Sequence, residues 1–483
     1  MIPESSDEGA DLENEGADLE WTRDAVVYQI FVDRFANGNP TLDPPDVAPW
    51  GSTPTATGFM GGDLKGIAER LDYLTDLGVN VVSLTPIFLS TSNHRYNTYD
   101  YYRIDPRLGS LEDFLAFLAE AHRVGIRVLL DGVFNHCGRG CYPFFDVMEN
   151  GKDSQWRDWF YVEGFPVDAY GTHRFKAWLG AAAVPEFNLG NPKTREYLLQ
   201  IAEFWTAQGV DGWRLDAVPH VRYKPFWREL RRAIKKVNPA AYLVAEIWDD
   251  AGAWLDSGDF DGATNYPFRE VVLQFAIQRS VQPSEFARRL AEMVERHAWN
   301  TTLRMCNLIG SHDTPRVWTL ARGDLAMVKM LLALQFTFPG IPAVYYGDEI
   351  GLEGGDEPGN RGAMPWNAGC WNLELRAFVR RLVTLRRSLG PLQHGDWHTL
   401  VADDQRGVCV FLRRSKTDMA ILLVHNGNRV ESVSLDVRVL RLPETCPFID
   451  HLTGRVFAAE QHLLYIGGLC PRSVALLTPL AAA

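Results

Sequence analysis

The chain has 483 residues, 46% of them hydrophobic, which is too long for one ordinary domain and apolar enough for a large core, so two or three folded parts are expected. Its formal net charge of -13, spread along the chain, argues against nucleic acid or an anionic membrane as the main partner and favours a neutral one. No run of about 18 apolar residues suggests a membrane span, and 7 scattered cysteines make no disulfide framework.

Residues 1–20 repeat GADLE and carry acidic groups without Lys or Arg, the reverse of a secretory leader; they read as an acidic tail on a cytoplasmic protein. From Trp21 a two-part rhythm begins, in which an amphipathic helical stretch ends at Gly and a β-branched run follows: GIAERLDYLTDLG before VNVVSLTPIF, LEDFLAFLAEAHRVG before IRVLLDGVFNH, TREYLLQIAEFWTAQG before VDGWRLDAV. With AVVYQIFVDRF ahead of them and AYLVAEIW, DGATNYPF, MCNLIGSHD and PAVYYGDEIG behind, the strand candidates alternate mostly with helices, which predicts a (β/α)8 barrel; an open doubly wound sheet is the alternative. The aromatic- and Gly-rich stretch after the third strand is an insertion, and beyond LRAFVRRLVTLRRSLG the pattern changes to short alternating runs. The predicted division is a tail at 1–20, the barrel at 21–136 and 186–396, an inserted domain at 137–185, and a C-terminal antiparallel β domain at 397–483.

Barrel enzymes hold their chemistry where strands end, so the polar residues there are the candidates. They are Asp131 and His136 in DGVFNH, Arg214, Asp216 and His220 in GWRLDAVPH, Glu246 in AEIW, and His312 with Asp313 in IGSHDTPR. Three carboxylates converging from different strands, without a Ser-His-Asp or Cys-His pattern, suit glycosidic bond cleavage by a nucleophile and an acid. Arg214, two residues before Asp216 and on the same strand face, would hold Asp216 ionised; Glu246, among apolar neighbours, would stay protonated as the acid.

In this order DGVFNH, GWRLDAVPH, EIW and IGSHDTPR resemble the motifs of the α-amylase family of glycoside hydrolases, family 13, with further matches in YQIFVDRF, GGDLKGI, HRYNTYDYYRID and YYGDEIGLEGGDEPGNR. The resemblance implies a barrel with an inserted domain and a C-terminal β-sandwich. It also implies a retaining hydrolase of α-1,4-linked maltooligosaccharides, starch or cyclodextrins, with Asp216 as nucleophile, Glu246 as acid/base and Asp313 as the third carboxylate. It places Asp131, His136, Arg214 and His312 around the sugar on the donor side of the scissile bond, Tyr96 as its stacking floor with His94 beside it, and Glu357 with Arg361 as a further donor-side pair. The catalytic strands look most like the neopullulanase, cyclomaltodextrinase and maltogenic amylase branch. His220, which α-amylases also carry, departs from that branch, as do Glu186 in VPEFN and a barrel that begins almost at once without the branch's N-terminal domain, which favours a monomer; Pro219 departs from the α-amylases, many of which have Lys there. A glucanotransferase on the same site and a non-catalytic amylase-like scaffold are the rival readings.

Calcium takes six to eight oxygen ligands. DRFANGNPTLDPP and GGD offer Asn37, Asn39, Asp43, Asp63 and the Gly61 carbonyl, which resembles a calcium loop of cyclodextrin-processing relatives; Leu42 stands where those often have Asn, and an ordinary Asn/Asp/Gly turn is the alternative. Asn135 matches a second family calcium site, but VPEFN supplies no obvious second acidic ligand. HCGRGC lacks the ligands of a metal centre and reads as loop cysteines, and Trp156, Trp159, Phe160 and Trp178 read as core of the inserted domain for the most part, with sugar platforms as the alternative.

Overall fold

The structure is a computed structural model that describes residues 19–168 and 173–480. Of the segment read as an acidic tail, residues 1–18 lie outside the described ones, and Leu19 is buried. The described residues fall into two compact units, one comprising 19–22, 27–264 and 357–366, the other 23–26, 265–356 and 367–480.

The first unit carries strands β1 (Val27–Ile30), β2 (Val81–Leu84), β3 (Arg127–Gly132), β4 (Gly212–Leu215), β5 (Tyr242–Ala245) and β6 (Gly262–Ala263), each parallel to the next. Helices α1 (Leu71–Leu77), α2 (Leu111–Arg123), α3 (Pro192–Ala207) and α4 (Phe226–Val237) alternate with them. Three of these helices stop as the sequence predicts, with Gly78, Gly125 and Gly209 at φ of 90, 79 and 104°, a region open to glycine at little cost. Strands β2, β4 and β5 are buried along their whole length, as parallel strands covered on both faces must be, which explains their continuous apolar runs. Trp205 of α3 and Trp213 of β4 are fully buried behind this sheet.

The second unit holds β7 (Cys306–Leu308) and β8 (Ile341–Tyr345), paired in parallel, with helices α5 (Tyr266–Leu273), α6 (Pro283–Glu295), α7 (Leu325–Thr337) and α8 (Leu373–Ser388). The eight parallel strands alternating with helices are those of a (β/α)8 barrel. The rest of this unit is an eight-stranded antiparallel sheet of β9 (Asp396–Asp403), β10 (Val408–Arg414), β11 (Met419–His425), β12 (Glu431–Asp436), β13 (Pro447–Asp450), β14 (Val456–Glu460), β15 (Leu463–Leu469) and β16 (Ser473–Pro479), in the order β9-β10-β11-β16-β13-β14-β15-β12. Alternate residues of β10, Val408, Val410 and Leu412, enter one apolar cluster with Val433, Leu435, Phe448, Leu464 and Ile466, so strands from both ends of the order share a core. From the opposite face of β10, Phe411 stacks on Trp397 and meets Phe286 of α6 edge-on, 6.1 Å between centroids.

Two predicted strands are shorter than expected. AVVYQIFVDRF pairs only over Val27–Ile30 and then turns into a short helix, Val32–Phe35. DGATNYPF pairs only at Gly262–Ala263, because the Asn265 side chain accepts the Phe268 N–H (3.2 Å) and Pro267 occupies the first turn, together starting α5.

Candidate active site

Pairing register fixes the first two polar groups. Asp131 of β3 lies opposite Arg214 of β4 in the parallel ladder, so both side chains leave the same face of the sheet. Asp216 follows the end of β4 and Glu246 the end of β5, and the ladder continues past both, with the Asp216 N–H on the Gly132 carbonyl (3.1 Å) and the Glu246 N–H on the Leu215 carbonyl (2.9 Å).

Arg214 is the hub. Its Nη1 donates to both Asp131 oxygens at 2.8 Å and to Asp216 Oδ1 at 3.0 Å, and its Nη2 lies 2.9 Å from Glu246 Oε1. All four groups are buried. Glu246 is held twice more: its Oε2 accepts the Ala217 N–H (2.9 Å), and its Oε1 accepts the Trp248 indole N–H (3.1 Å). Ala217 reaches that position at φ 50° and ψ 36°, a left-handed conformation unusual for a residue with a Cβ. The backbone after the proposed nucleophile is thus bent to aim its N–H at Glu246.

One guanidinium facing three buried carboxyls leaves excess negative charge, which the cluster relieves by holding a proton. Burial pushes Asp131 up to about 6 against the opposing charge of Arg214. Burial, followed by the charge of Glu246, pushes Asp216 well above the usual carboxylate range. This corrects the expectation that Arg214 would hold Asp216 low: the guanidinium is in place, but desolvation and neighbouring carboxylates outweigh it.

Tyr96 donates its hydroxyl to Asp131 Oδ2 (2.9 Å), and the His94 ring stacks on it at 5.9 Å between centroids. The loop is braced by a buried ion pair between Arg95 and Asp105 (2.9 Å). His136 sits with Nε2 3.2 Å from the Tyr96 carbonyl oxygen. Burial drives His94 and His136 down to about 4, so both are neutral near pH 7 and can exchange hydrogen bonds with sugar hydroxyls. Glu357 and Arg361 form an ion pair at 2.6 Å, and the Arg361 carbonyl accepts the Arg34 Nε–H (2.9 Å). His220 is exposed and meets the edge of Trp178 at 6.0 Å. In the second unit the turn after β7 carries His312, buried, with Nε2 3.1 Å from Asp313 Oδ2, while the Asp313 N–H donates to Ser311 Oγ (3.2 Å).

Sequence reasoning missed two contributors, Ala217 and Trp248. Ala217 gave no signal, since its role rests on a backbone angle. Trp248 follows Glu246 by two residues, a spacing that could have suggested a shared strand-end face. Trp178, weighed as core or sugar platform, stacks on His136, 5.3 Å between centroids and 28° between planes. HCGRGC has a packing explanation: a Cβ on Gly138 or Gly140 would stand 2.3 Å from the Tyr99 ring. The cysteines of the described chain are free thiols, Cys137 and Cys141 buried.

At the loop read for calcium, Asn37 Nδ2 donates to both Asp43 oxygens (3.0 and 2.9 Å), while its buried Oδ1 has no hydrogen-bond partner among the described residues. A Cβ at Gly61 would lie 2.3 Å from Asp43 Oδ1, so the backbone there is pressed against the carboxylate. Asp63 caps the helix Leu64–Ala68, accepting from Gly66 N (2.6 Å), Asn39 N (2.7 Å) and Gly38 N (3.0 Å), and Asn39 Oδ1 accepts from Thr41 Oγ1 (2.7 Å). An orphan amide oxygen on a side chain hydrogen-bonded to a carboxylate is the start of a hard-oxygen donor set of the kind calcium takes.

Comparison with known proteins fits this geometry. Residues 29–381 match the family model described as alpha amylase, catalytic domain. A cyclomaltodextrinase of Geobacillus thermopakistaniensis is 40% identical over 451 residues, 92% of this chain and 76% of its own length. An intracellular maltogenic amylase of Bacillus subtilis is 40% identical over 425 residues, 86% of this chain and 71% of its own. The crystallised cyclic α-maltosyl-(1→6)-maltose hydrolase of Arthrobacter globiformis, bound to that sugar, superposes with a TM-score of 0.86 at 40% identity, covering 95% of this chain and 99% of the other.

Proposed function

Since the chain belongs to the α-amylase family of glycoside hydrolases, we propose that it cleaves α-1,4-glucosidic bonds of maltooligosaccharides, starch or cyclodextrins with retention, through a covalent intermediate on Asp216. The carrying observation is the buried fan of Asp131, Asp216 and Glu246 around Arg214. Glu246 is the acid/base: it gives its proton to the leaving oxygen as Asp216 attacks the anomeric carbon, and then takes one from the incoming water. Arg214 donates to the nucleophile's carboxyl as positive charge develops on the sugar, and the Ala217 N–H fixes the Glu246 carboxyl. Asp313 is the third carboxylate, grasping sugar hydroxyls with His312, while Tyr96 and His94 form the floor beneath the ring and Asp131, His136, Glu357 and Arg361 hold its edge. Three features support these substrates: the neutral His94 and His136, suited to uncharged hydroxyls; the acidic chain; and relatives named for cyclomaltodextrins and a cyclic maltosyl-maltose.

The test is a panel of starch, pullulan, β-cyclodextrin and maltotriose with time-resolved products and their anomeric configuration. Products released in the α configuration, lost by several orders of magnitude in Asp216→Ala, are expected. Undiminished hydrolysis in that variant, or early products mainly longer than maltotriose, would overturn the assignment, the second outcome in favour of a glucanotransferase.

A calcium ion held by Asn37, Asn39, Asp43, Asp63 and the Gly61 carbonyl would pin the loop after β1 and take no part in bond cleavage. Added calcium is expected to raise the Tm of the parent chain and leave that of Asp43→Ala unchanged; equal responses would remove the ion from the proposal. We place the protein in the cytoplasm as a monomer. The location is supported by the intracellular amylase among its relatives, and no helix among the described residues is long and apolar enough to cross a membrane.

A further inference from the structure

The turn after β7 that carries His312 and Asp313 is closed on itself. Ser311 N donates to Thr314 Oγ1 (3.0 Å), Thr314 N to the Ser311 carbonyl (3.3 Å) and Asp313 N to Ser311 Oγ (3.2 Å). Residues bonded in this way move as one body, so the place of Asp313 is set where the turn is fastened to its surroundings, at Gly310 and at Arg316.

Both fastenings meet one carboxyl. Asp348, on the turn after β8, is buried, and its Oδ1 accepts from Arg316 Nη1 at 2.9 Å. Its Oδ2 lies against Gly310: a Cβ there would stand 2.6 Å from that oxygen, which has no hydrogen-bond partner among the described residues. Arg316 is fully buried as well. Its Nη1 also donates to the Tyr346 carbonyl (2.7 Å), its guanidinium carbon lies 4.3 Å from the Tyr345 ring centroid and 4.7 Å from that of Tyr346, and its backbone N–H donates to the Gly354 carbonyl (3.0 Å). Just before the turn, the Ile309 carbonyl accepts the Nε–H of Arg269 from α5 (3.1 Å).

As a source of stability this pair is a poor choice. Burial pushes the Asp348 carboxyl up to about 7, against the charges of Arg316 and Arg269 and helped by that of Glu349. Keeping it ionised near neutral pH therefore costs folding free energy rather than supplying it. What a buried, directional ion pair supplies instead is a defined position for the chain on either side of it.

We infer that Asp348 is a positioning residue for Asp313: one oxygen holds the end of the Asp313 turn through Arg316, the other stops its start at Gly310, and the two together set where Asp313 grasps the sugar. This rests on the reading of Asp313 as the third carboxylate. Asp348 and Arg316 need not touch substrate themselves. A shift of about 1 Å in a group that acts on the transition state is enough to lower turnover about a hundredfold, and removing a carboxyl that spans both ends of the turn leaves more room than that.

A double-mutant cycle on the turnover of α-maltosyl fluoride tests this, the activated leaving group keeping slow variants measurable. Asp348→Ala should lower kcat about a hundredfold, and Asp348→Asn, which retains an acceptor for Arg316, about tenfold. In an Asp313→Ala background each should cost less than about threefold, since the turn then has only His312 left to place. Equal losses in both backgrounds would overturn the inference and make the pair scaffold alone, as would a parental kcat in both single variants. Should Asp348→Ala not fold, the Asp348→Asn arm decides by the same comparison. If Asp313→Ala itself keeps the parental kcat, the reading of Asp313 fails and this inference with it.

Discussion

At the scale of single residues, the site depends on how one cation is divided. Arg214 serves Asp131, Asp216 and Glu246 at once, so a change at any of the three redistributes charge over the others. Asp216 works ionised, and its raised carboxyl sets the acidic limb of kcat/KM above the ordinary carboxylate range. The charge of Asp131 is one of the causes raising it, and Asp131 also takes two of the hydrogen bonds Arg214 can make. Asp131→Asn should therefore lower kcat, through lost sugar contacts, yet move the acidic limb down by about one pH unit. A pH profile of kcat/KM checks this, and an unmoved limb would assign it to another group. These side chains were legible in the sequence as a set: one polar group ending an apolar run can be a loop cap or a salt bridge, but several on successive strands have few bland explanations. The sign of the Asp216 shift was not, since it depends on burial and on neighbours from other strands.

At the scale of elements, the helix–strand alternation and the glycine stops could be read directly, because burial on both faces writes itself as continuous apolar runs. The sixth strand was overestimated: its sequence reads as strand-like, but Asn265 and Pro267 are a helix start, and local capping wins where only two residues pair. That short strand is steadied by Asp261 just before it. Its carboxylate meets Arg231 (2.8 Å) and Lys235 (3.1 Å) of α4 and accepts the Leu243 N–H of β5 (2.8 Å). Burial alone would raise this carboxyl, but the two cations and the N–H hold it below its usual range. Its stabilisation is thus present above the unfolded carboxylate's pKa and lost as pH falls through the lower folded value. Asp261→Asn should cost about 3 kcal/mol near neutral pH, measured by urea unfolding, and the gap from the parent should close in strong acid. A pH-independent gap would mean packing, not charge, was lost.

At the scale of the whole molecule, sequence rhythm separated a barrel from a terminal sheet, whereas contacts join that sheet to one portion of the barrel in a single compact unit. Arg413 of β10 is buried and donates to the carbonyls of Thr337 at the end of α7 (2.6 Å) and of Gly395 (2.9 Å), and Arg386 of α8 donates to the Gly340 carbonyl before β8 (2.9 Å). A buried arginine such as Arg413 clasping carbonyls across the predicted boundary could not be read from the sequence, where basic residues look like a solvated face. Arg413→Ala should accelerate amide exchange in α7 and β10 together, at a cost of about 3 kcal/mol. Faster exchange confined to β10 would show that the sheet unfolds by itself.

The Tyr99 ring lying against Gly138 and Gly140 has a consequence for how this chain would score under random substitution. In a saturation library selected for growth on a glucan, both positions should return only glycine, with a profile as intolerant as that of Asp216. They would nevertheless touch no sugar. Their signature would be lost abundance at every other residue, whereas Asp216 variants would accumulate normally and fail only in turnover, so abundance and activity read in parallel would separate the two kinds of intolerance.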